Sequence, residues 1–157
     1  MIRFIAALDN QHGIANTKGI PWDLPSDKAY FREKTLNCKV LMGYVTYNEM
    51  AEPLPDRKNI VATNKNEDLR AGFEKATSAR EFLTNSTEDI WVIGGAGLFA
   101  SVIDLADELY LTRIDKDFNC TKFFPEFEDN FDLISFTDPR TENNTAFSFQ
   151  IWNRKLV

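Results

Sequence analysis

The chain has 157 residues, of which 43% are hydrophobic and 13 are phenylalanine, enough to bury one sizeable core, and this excludes a disordered protein. Its formal net charge is −6, and residues 104–157 carry 6 basic against 11 acidic side chains, which argues against general binding to nucleic acid or anionic membrane. The chain has one histidine and two isolated cysteines, Cys38 and Cys120, so we predict no metal site and no disulfide.

The first third of the chain alternates apolar runs with polar segments. Residues 2–8 (IRFIAAL) form a continuous apolar run that predicts a buried strand. A loop over 9–24 follows, long enough to suggest a function. A helix is predicted over 25–35, because a proline opens it at the first turn. KVLMG (39–43) predicts a second buried strand, and TYNEM (46–50) a short helix.

The rest of the chain continues this alternation and ends differently. Its predicted elements are a strand at 58–63, a helix at 77–84 capped by Thr77 or Ser78, a strand at 90–95, a helix at 98–106, a strand at 108–114 and an antiparallel pair formed by 131–136 and 146–153. We therefore predict a single α/β domain over residues 1–157, with a mostly parallel central sheet, an antiparallel C-terminal edge and flanking helices.

The stretch GIPWDLPSDKAYF (19–31) places a carboxylate among aromatic side chains where a loop becomes a helix. Asp27, Tyr30 and Phe31 share one face of the predicted helix, because they are spaced three and four apart. An acid near a helix start is usually a surface residue that interacts with the helix dipole. Alternatively, Asp27 is buried because it has a functional role, and burial would raise its pKa.

The stretch VIGGAGLF (92–99) is a strand that ends in glycines and runs into a helix. Such a turn lets backbone N–H groups approach a phosphate at the helix N-terminus. From Gly95 it also matches the GxGxxA form of the dinucleotide fingerprint, with Asp115 near the position of the ribose acid. The alternative is a tight turn that needs glycine only for its geometry.

Taken together, these stretches resemble the dihydrofolate reductase family. The matching pieces occur in the family's order: IAAL (5–8), GIPWDLPSDKAYF (19–31), MGYVTY (42–47), EPLPDRKN (52–59), VIGGAG (92–97), LYLTRID (109–115) and FFPEF (123–127). The resemblance implies reduction of 7,8-dihydrofolate to tetrahydrofolate by hydride from NADPH, in support of one-carbon and thymidylate metabolism. It also implies that Asp27 faces the pterin, with Trp22 beside it and Thr112 bonded to it.

The resemblance implies two further sets of contacts. The substrate-binding residues would be Asp27 and Thr112 again, with Ile5, Lys28, Phe31, Met50, Leu54, Ile93 and Arg57, of which Arg57 would hold the glutamate carboxylate. The cofactor-binding residues would be Ala7, Ile14, Ile20, Gly43, Tyr44, Thr46, Thr63, Asn64, Lys65, Ile93, Gly94, Gly95, Ala96, Gly97, Leu98 and Phe99. The Gly94–Gly95 peptide bond is cis in the family.

The chain departs from the family pattern at several positions. Tyr44 stands where an arginine usually holds the 2′-phosphate of the cofactor, and Lys65 lies where it could substitute, so we expect weaker discrimination against NADH. Lys28 replaces an apolar neighbour of the acid, which we expect to alter antifolate binding. Cys120 and Thr121 replace a glycine and an aspartate that brace the active-site loop in many bacterial members.

Two other functions remain open at this point. One is a pyrimidine reductase of riboflavin synthesis, which shares the architecture. The other is a nucleotide-binding module without catalysis, although such a module has no need for an acid in an aromatic pocket. We expect a cytoplasmic protein, because the apolar N-terminus is too short to span a membrane and lacks the features of a signal peptide. The resemblance implies that it binds dihydrofolate and antifolate inhibitors, and we expect a monomer.

Overall fold

The computed structural model describes residues 1–156. The strands in that range are β1 (Ile2–Leu8), β2 (Gly13–Ala15), β3 (Lys39–Gly43), β4 (Lys58–Ala62), β5 (Phe73–Ala76), β6 (Ile90–Gly94), β7 (Glu108–Ile114), β8 (Lys122–Phe123), β9 (Phe131–Phe136), β10 (Arg140–Glu142) and β11 (Thr145–Arg154). The helices are α1 (Pro25–Thr35), α2 (Tyr44–Glu49), α3 (Ala79–Thr84) and α4 (Ala96–Val102), and a 3₁₀ turn (Ile103–Leu105) follows α4.

Nine strands form one sheet in the order β10-β11-β7-β1-β6-β3-β4-β5, with β9 also paired to β11. Every pair from β7 to β5 is parallel, and β11 pairs antiparallel with β7, β9 and β10. The predicted fold class, a mostly parallel α/β sheet with an antiparallel C-terminal edge, is confirmed.

The central strands are apolar on both faces because helices cover both faces of the sheet. In β1, Phe4 points into one hydrophobic cluster and Ile5 into the other. Helices α3 and α4 contribute Leu83 and Phe99 to the first cluster, whereas α2 contributes Tyr47 to the second. In open α/β sheets ligands bind outside the carboxyl ends of the parallel strands, and here those ends include Leu8, Gly43, Ala62 and Gly94.

Local signals account for the starts of two of the four helices among the described residues. Helix α1 begins at Pro25, and the Ser78 side chain caps α3 by accepting a hydrogen bond of 3.2 Å from the Glu81 N–H. Helix α2 begins two residues earlier than predicted, at Tyr44, and α4 begins at Ala96 instead of at 98. In both cases the helix starts directly after a glycine, which leaves its first N–H groups at the end of a parallel strand.

Four short strands were not predicted: β2, β5, β8 and β10. Their sequences are brief and partly polar, so period-two alternation is too weak to reveal them. Strands β2 and β8 pair with each other, and the Thr121 N–H also donates to Ala15 at 3.0 Å, which ties the long loop to residues 121–123. Within residues 1–156 no helix is long and apolar enough to cross a lipid bilayer.

Candidate active site

Asp27 lies on the first turn of α1 and faces β7. Its Oδ1 accepts a hydrogen bond of 2.6 Å from Thr112 Oγ1, and Thr112, which is 2% exposed, is paired in register with Ala7 of β1. The carboxylate is thus held between helix α1 and strand β7. Asp27, Tyr30 and Phe31 all belong to α1, so the helix geometry places them on one face, as predicted.

The surroundings of Asp27 disfavour its charged form. Burial raises the pKa of Asp27, the Thr112 hydrogen bond opposes that shift, and the negative charge of Glu142 adds to it. Glu142 is nearby because its carboxylate accepts hydrogen bonds from the backbone N–H and the hydroxyl of Ser26, at the start of α1. A strand of the C-terminal hairpin therefore caps the helix that carries the acid.

An apolar wall extends from Asp27 along α1. The five residues predicted to contact the substrate through apolar atoms belong to one hydrophobic cluster: Ile5, Phe31, Met50, Leu54 and Ile93. Ile5 is 5% exposed, whereas the other four are only partly buried and so retain surface toward solvent. The structure brings this predicted set together beside a single carboxylate.

Arg57 lies at the far end of this wall. Its Nη1 donates to Thr35 Oγ1 at 3.1 Å, and its Nε donates to the Pro55 carbonyl at 2.9 Å. Thr35 is the last residue of α1, so the guanidinium is fixed at the end of the helix whose first turn carries Asp27. A rigid guanidinium can receive a carboxylate with two parallel hydrogen bonds.

The loop over 9–24 is anchored at its base by Asp9. The buried Asp9 carboxylate accepts backbone hydrogen bonds from Gln11, Gly13 and Phe118 at 2.9, 2.7 and 3.0 Å. Burial alone would raise the pKa of Asp9, but these hydrogen bonds hold it below its ordinary value. Asp9 was not predicted from the sequence, although an aspartate followed by polar residues and a glycine is typical of such a turn.

The other loop residues in the predicted set are placed differently from one another. Trp22 packs edge-on against Phe118, with ring centroids 5.3 Å apart, and shares a hydrophobic cluster with Ala7. Ile14 is buried in the core, whereas Ile20 is 69% exposed. Trp22 therefore packs in the cluster that contains Ala7, the residue paired with Thr112, while Ile20 stands out from the surface.

The two glycine turns lie side by side at the ends of β3 and β6. A Cβ placed on Gly43 would be 3.8 Å from Leu98 Cβ and 3.9 Å from the Gly94 carbonyl, and one placed on Gly95 would be 3.7 Å from Thr46 Oγ1. The Gly94–Gly95 peptide bond is cis, as the resemblance implied. The predicted residues of both turns, including Ala96 and Gly97, are thus adjacent.

This region fits the diphosphate of a dinucleotide. Among the described residues no side chain caps α2 or α4, and a Cβ at Gly97 would meet no atom within 4 Å. Open space next to uncapped helix N–H groups is what a phosphate requires. The match to the GxGxxA dinucleotide fingerprint is not supported. Asp115 follows β7, and β1 lies between β7 and β6 in the sheet, so Asp115 is not on a strand next to the glycine turn.

Residues after β4 approach the start of α2. The Lys65 ammonium is 4.6 Å from the centre of the Tyr44 ring. The backbone N–H of Lys65 donates to Thr63 Oγ1 at 3.1 Å. Asn64 is exposed between them. The Tyr44 hydroxyl donates to Glu67, a residue that the sequence did not single out. This pairing was missed because it joins two separate connections of the sheet.

Two predicted site residues are placed away from the site surface. The Lys28 side chain is 74% exposed and donates to Asp23 at 2.9 Å, so its ammonium points toward the preceding loop. The Phe99 ring is 2% exposed and packs on Phe4, with centroids 5.3 Å apart, beneath the glycine turn. Their positions do not favour direct contact with a ligand.

No group of three or more His, Cys, Asp or Glu side chains is placed to hold a metal ion within residues 1–156. The candidate site therefore consists of one carboxylate, an apolar wall that ends at an arginine, and a glycine-lined region at the adjoining strand ends.

Comparison with known proteins agrees with this geometry. The dihydrofolate reductase family model matches residues 1–154. A dihydrofolate reductase of Bacillus subtilis (strain 168) is 35% identical over 153 residues, covering 96% of this chain and 91% of that protein. A type 3 dihydrofolate reductase of Salmonella typhimurium is 37% identical over 129 residues, covering 81% of this chain and 80% of that protein.

A solved structure is similar over almost the whole chain. Dihydrofolate reductase from Enterococcus faecalis, complexed with NADP(H) and RAB-propyl, has a TM-score of 0.89 and 28% identity, and the match covers 98% of this chain and 96% of that one. The fold and the site define an α/β oxidoreductase. The chain belongs to the dihydrofolate reductase family, so the family and the reductase activity predicted from the sequence are confirmed.

Proposed function

We propose that this chain reduces 7,8-dihydrofolate to 5,6,7,8-tetrahydrofolate with NADPH, and that Asp27 is the ionisable group that meets the pterin. The observation that carries the proposal is the Asp27–Thr112 hydrogen bond of 2.6 Å beside the apolar wall. A buried carboxylate requires partners, and its remaining oxygen can accept from the amino and ring N–H groups of a pterin.

The reaction adds a hydride to C6 and a proton to N5 of the substrate, and the reduced nicotinamide supplies the hydride. Asp27 stabilises the protonated form of the bound pterin, because a carboxylate favours a positive charge near it. Thr112 fixes the orientation of Asp27 from β7, and Trp22 closes the side of the pocket nearest the loop. These are the three residues to which we assign catalytic roles.

The substrate lies along the wall with its benzoyl ring among Phe31, Met50 and Leu54, while Ile5 and Ile93 contact the pterin. Arg57 binds the glutamate carboxylate at the end of the wall, where two hydrogen bonds already fix its guanidinium plane. Lys28 belongs to the rim of this site, and its ammonium would have to leave Asp23 to reach the substrate.

The cofactor occupies the strand ends between the two glycine turns. Backbone N–H groups at the starts of α2 and α4 hold the diphosphate, and the small residues there let it approach. The assigned residues are Gly43, Thr46, Gly94, Gly95, Ala96, Gly97 and Leu98 at the turns, Tyr44, Thr63, Asn64 and Lys65 toward the ribose, and Ala7, Ile14 and Ile93 toward the nicotinamide. Phe99 supports the glycine turn from beneath, and Ile20 would reach the nicotinamide only if its loop moved toward the site.

We propose further that the chain acts as a cytoplasmic monomer, that it forms a single domain over residues 1–157, and that it binds antifolates in the pterin pocket. The continuous hydrogen-bonded sheet from β5 to β10 supports one domain.

The test is spectrophotometric. Purified protein is mixed with dihydrofolate and NADPH, and the loss of the reduced cofactor's absorbance is followed in the wild type, in Asp27→Asn and in Asp138→Asn. We expect folate-dependent oxidation in the wild type and in Asp138→Asn, because Asp138 is an exposed acid in the connection between β9 and β10. Cofactor binding without turnover in the wild type would instead favour a nucleotide-binding module.

A further inference from the structure

A group of three side chains lies at the outer end of the cofactor region, and we call Tyr44, Lys65 and Glu67 the ribose corner. The Tyr44 hydroxyl donates to the Glu67 carboxylate, and the Lys65 ammonium lies 4.6 Å from the centre of the Tyr44 ring. Because the bond to Glu67 raises the pKa of Tyr44, its hydroxyl remains the donor. The corner thus holds one cation and one anion around a single ring.

The loop that carries Lys65 and Glu67 is itself fixed. Lys75 of β5 donates from its ammonium to the backbone carbonyls of Lys65 and Glu67, at 2.8 and 2.7 Å. Glu67 is therefore held from two sides, through its side chain by Tyr44 and through its backbone by Lys75. A carboxylate positioned in this way presents its second oxygen in a defined place, although the residue is exposed.

The corner adjoins the diphosphate region. Tyr44 directly follows Gly43, whose position contacts the turn after β6, and Glu67 follows β4, the next strand outward. At this place in nucleotide-binding α/β sheets, an acid accepts a hydrogen bond from the ribose 2′-hydroxyl of NADH, whereas a cation accommodates the 2′-phosphate of NADPH. The ribose corner contains one group of each kind.

We propose that Glu67 is a specificity-determining residue, which accepts a hydrogen bond from a ribose 2′-hydroxyl and opposes the 2′-phosphate that Lys65 attracts. The inference rests on the proposed function, since it concerns the cofactor of that reaction. Its consequence is that the chain uses NADPH but separates it from NADH by less than about a hundredfold in affinity, because the like charge of Glu67 near the phosphate offsets much of the attraction of Lys65, while the Lys75 ammonium is engaged by two backbone carbonyls.

The experiment measures binding without dihydrofolate, so that it does not depend on turnover. Dissociation constants for NADPH and NADH are obtained from quenching of tryptophan fluorescence, in low salt, for the wild type, Glu67→Gln and Asp68→Asn. Adenosine 2′,5′-bisphosphate and adenosine 5′-monophosphate, followed by calorimetry, report on the ribose corner alone. Asp68 is the matched control, because it is the adjacent exposed acid and loses the same charge.

In Glu67→Gln we expect NADPH and the 2′,5′-bisphosphate to bind about tenfold more tightly, and NADH to bind no more tightly than before. Tyr44→Phe, which frees the Glu67 side chain, should move the ratio in the same direction by a smaller factor. Added salt should reduce the effect, because screening weakens repulsion between exposed charges.

Two results would overturn the inference while leaving the reductase in place. One is a wild-type preference for NADPH of a thousandfold or more that Glu67→Gln does not change. The other is an equal gain in Asp68→Asn, which would show a general effect of net charge. If the wild type binds neither dinucleotide, the proposed function itself fails. Thermal unfolding of each variant confirms that it is folded.

Discussion

Thr112 and Asp27, 85 positions apart, are joined by a hydrogen bond of 2.6 Å that links strand β7 to helix α1. The bond does two things at once. It gives a partner to a carboxylate that burial makes unfavourable, and it sets the direction in which the second carboxylate oxygen points.

Replacing Asp27 by Asn removes the ionisable group but keeps an oxygen that can accept from Thr112. We expect kcat at neutral pH to fall by about 10²- to 10⁴-fold, with partial recovery in acid, where the substrate is protonated without assistance. Steady-state rates measured across pH test this, with Asp138→Asn, at an exposed acid, as the control. A pH–rate profile identical to that of the wild type would refute the role of Asp27.

The same substitution should increase stability. Burial raises the pKa of Asp27 above 3.8 in the folded chain, so the folded state binds a proton at this carboxyl more tightly than the unfolded state does. The stabilisation that results is complete at pH values below the pKa of the unfolded state. It is lost as the pH rises through the pKa of the folded state. Urea unfolding should show Asp27→Asn to be more stable than the wild type at pH 7, with the difference disappearing toward pH 3. An advantage that grows in acid would contradict this.

Replacing Thr112 by Val removes the hydroxyl from a site that is 2% exposed. We expect a loss of about 1–3 kcal/mol in the free energy of unfolding, because the buried carboxylate loses its partner. The acidic limb of the pH–rate profile should also move to higher pH, since the Thr112 hydrogen bond lowers the pKa of Asp27. Thr141→Val, at an exposed strand position, is the control and should change neither measurement.

Replacing Arg57 by Lys keeps the charge but removes the planar pair of donors. We expect KM for dihydrofolate to rise by about ten- to a hundredfold, with a much smaller change in kcat, because the glutamate carboxylate is distant from the reacting atoms. Arg80→Lys, whose guanidinium pairs with Asp104, is the control. A fall in kcat with KM unchanged would place Arg57 in a different role.

Replacing Gly97 by Ala adds a methyl group where no atom lies within 4 Å. In the free protein we expect about 0.5–1 kcal/mol of added stability, because alanine restricts the unfolded chain and favours the helix. Binding of NADPH should weaken, since the methyl group occupies the space assigned to the diphosphate. Denaturant titration and fluorescence titration measure the two effects. Equal affinity for NADPH would remove Gly97 from the cofactor site.

The sequence predicted the features that depend on neighbouring residues. Apolar runs indicated the buried strands, Pro25 marked the start of α1, and Ser78 was one of two caps proposed for α3. The ordered motifs also predicted the family, since their residue types and spacing are retained along the chain. Short strands such as β5 and β8 were missed, because their few residues carry too little alternation to be distinguished from loops.

Tertiary structure decided which distant groups meet. Glu142 accepts from Ser26, 116 positions away, and Glu67 accepts from Tyr44 across two connections of the sheet. No local pattern encodes these contacts, because they depend on strand order and register, which result from the packing of the whole core. The sequence alone therefore determined the fold class and the family and singled out Asp27, whereas folding decided what surrounds Asp27 and which charged side chains lie beside Tyr44.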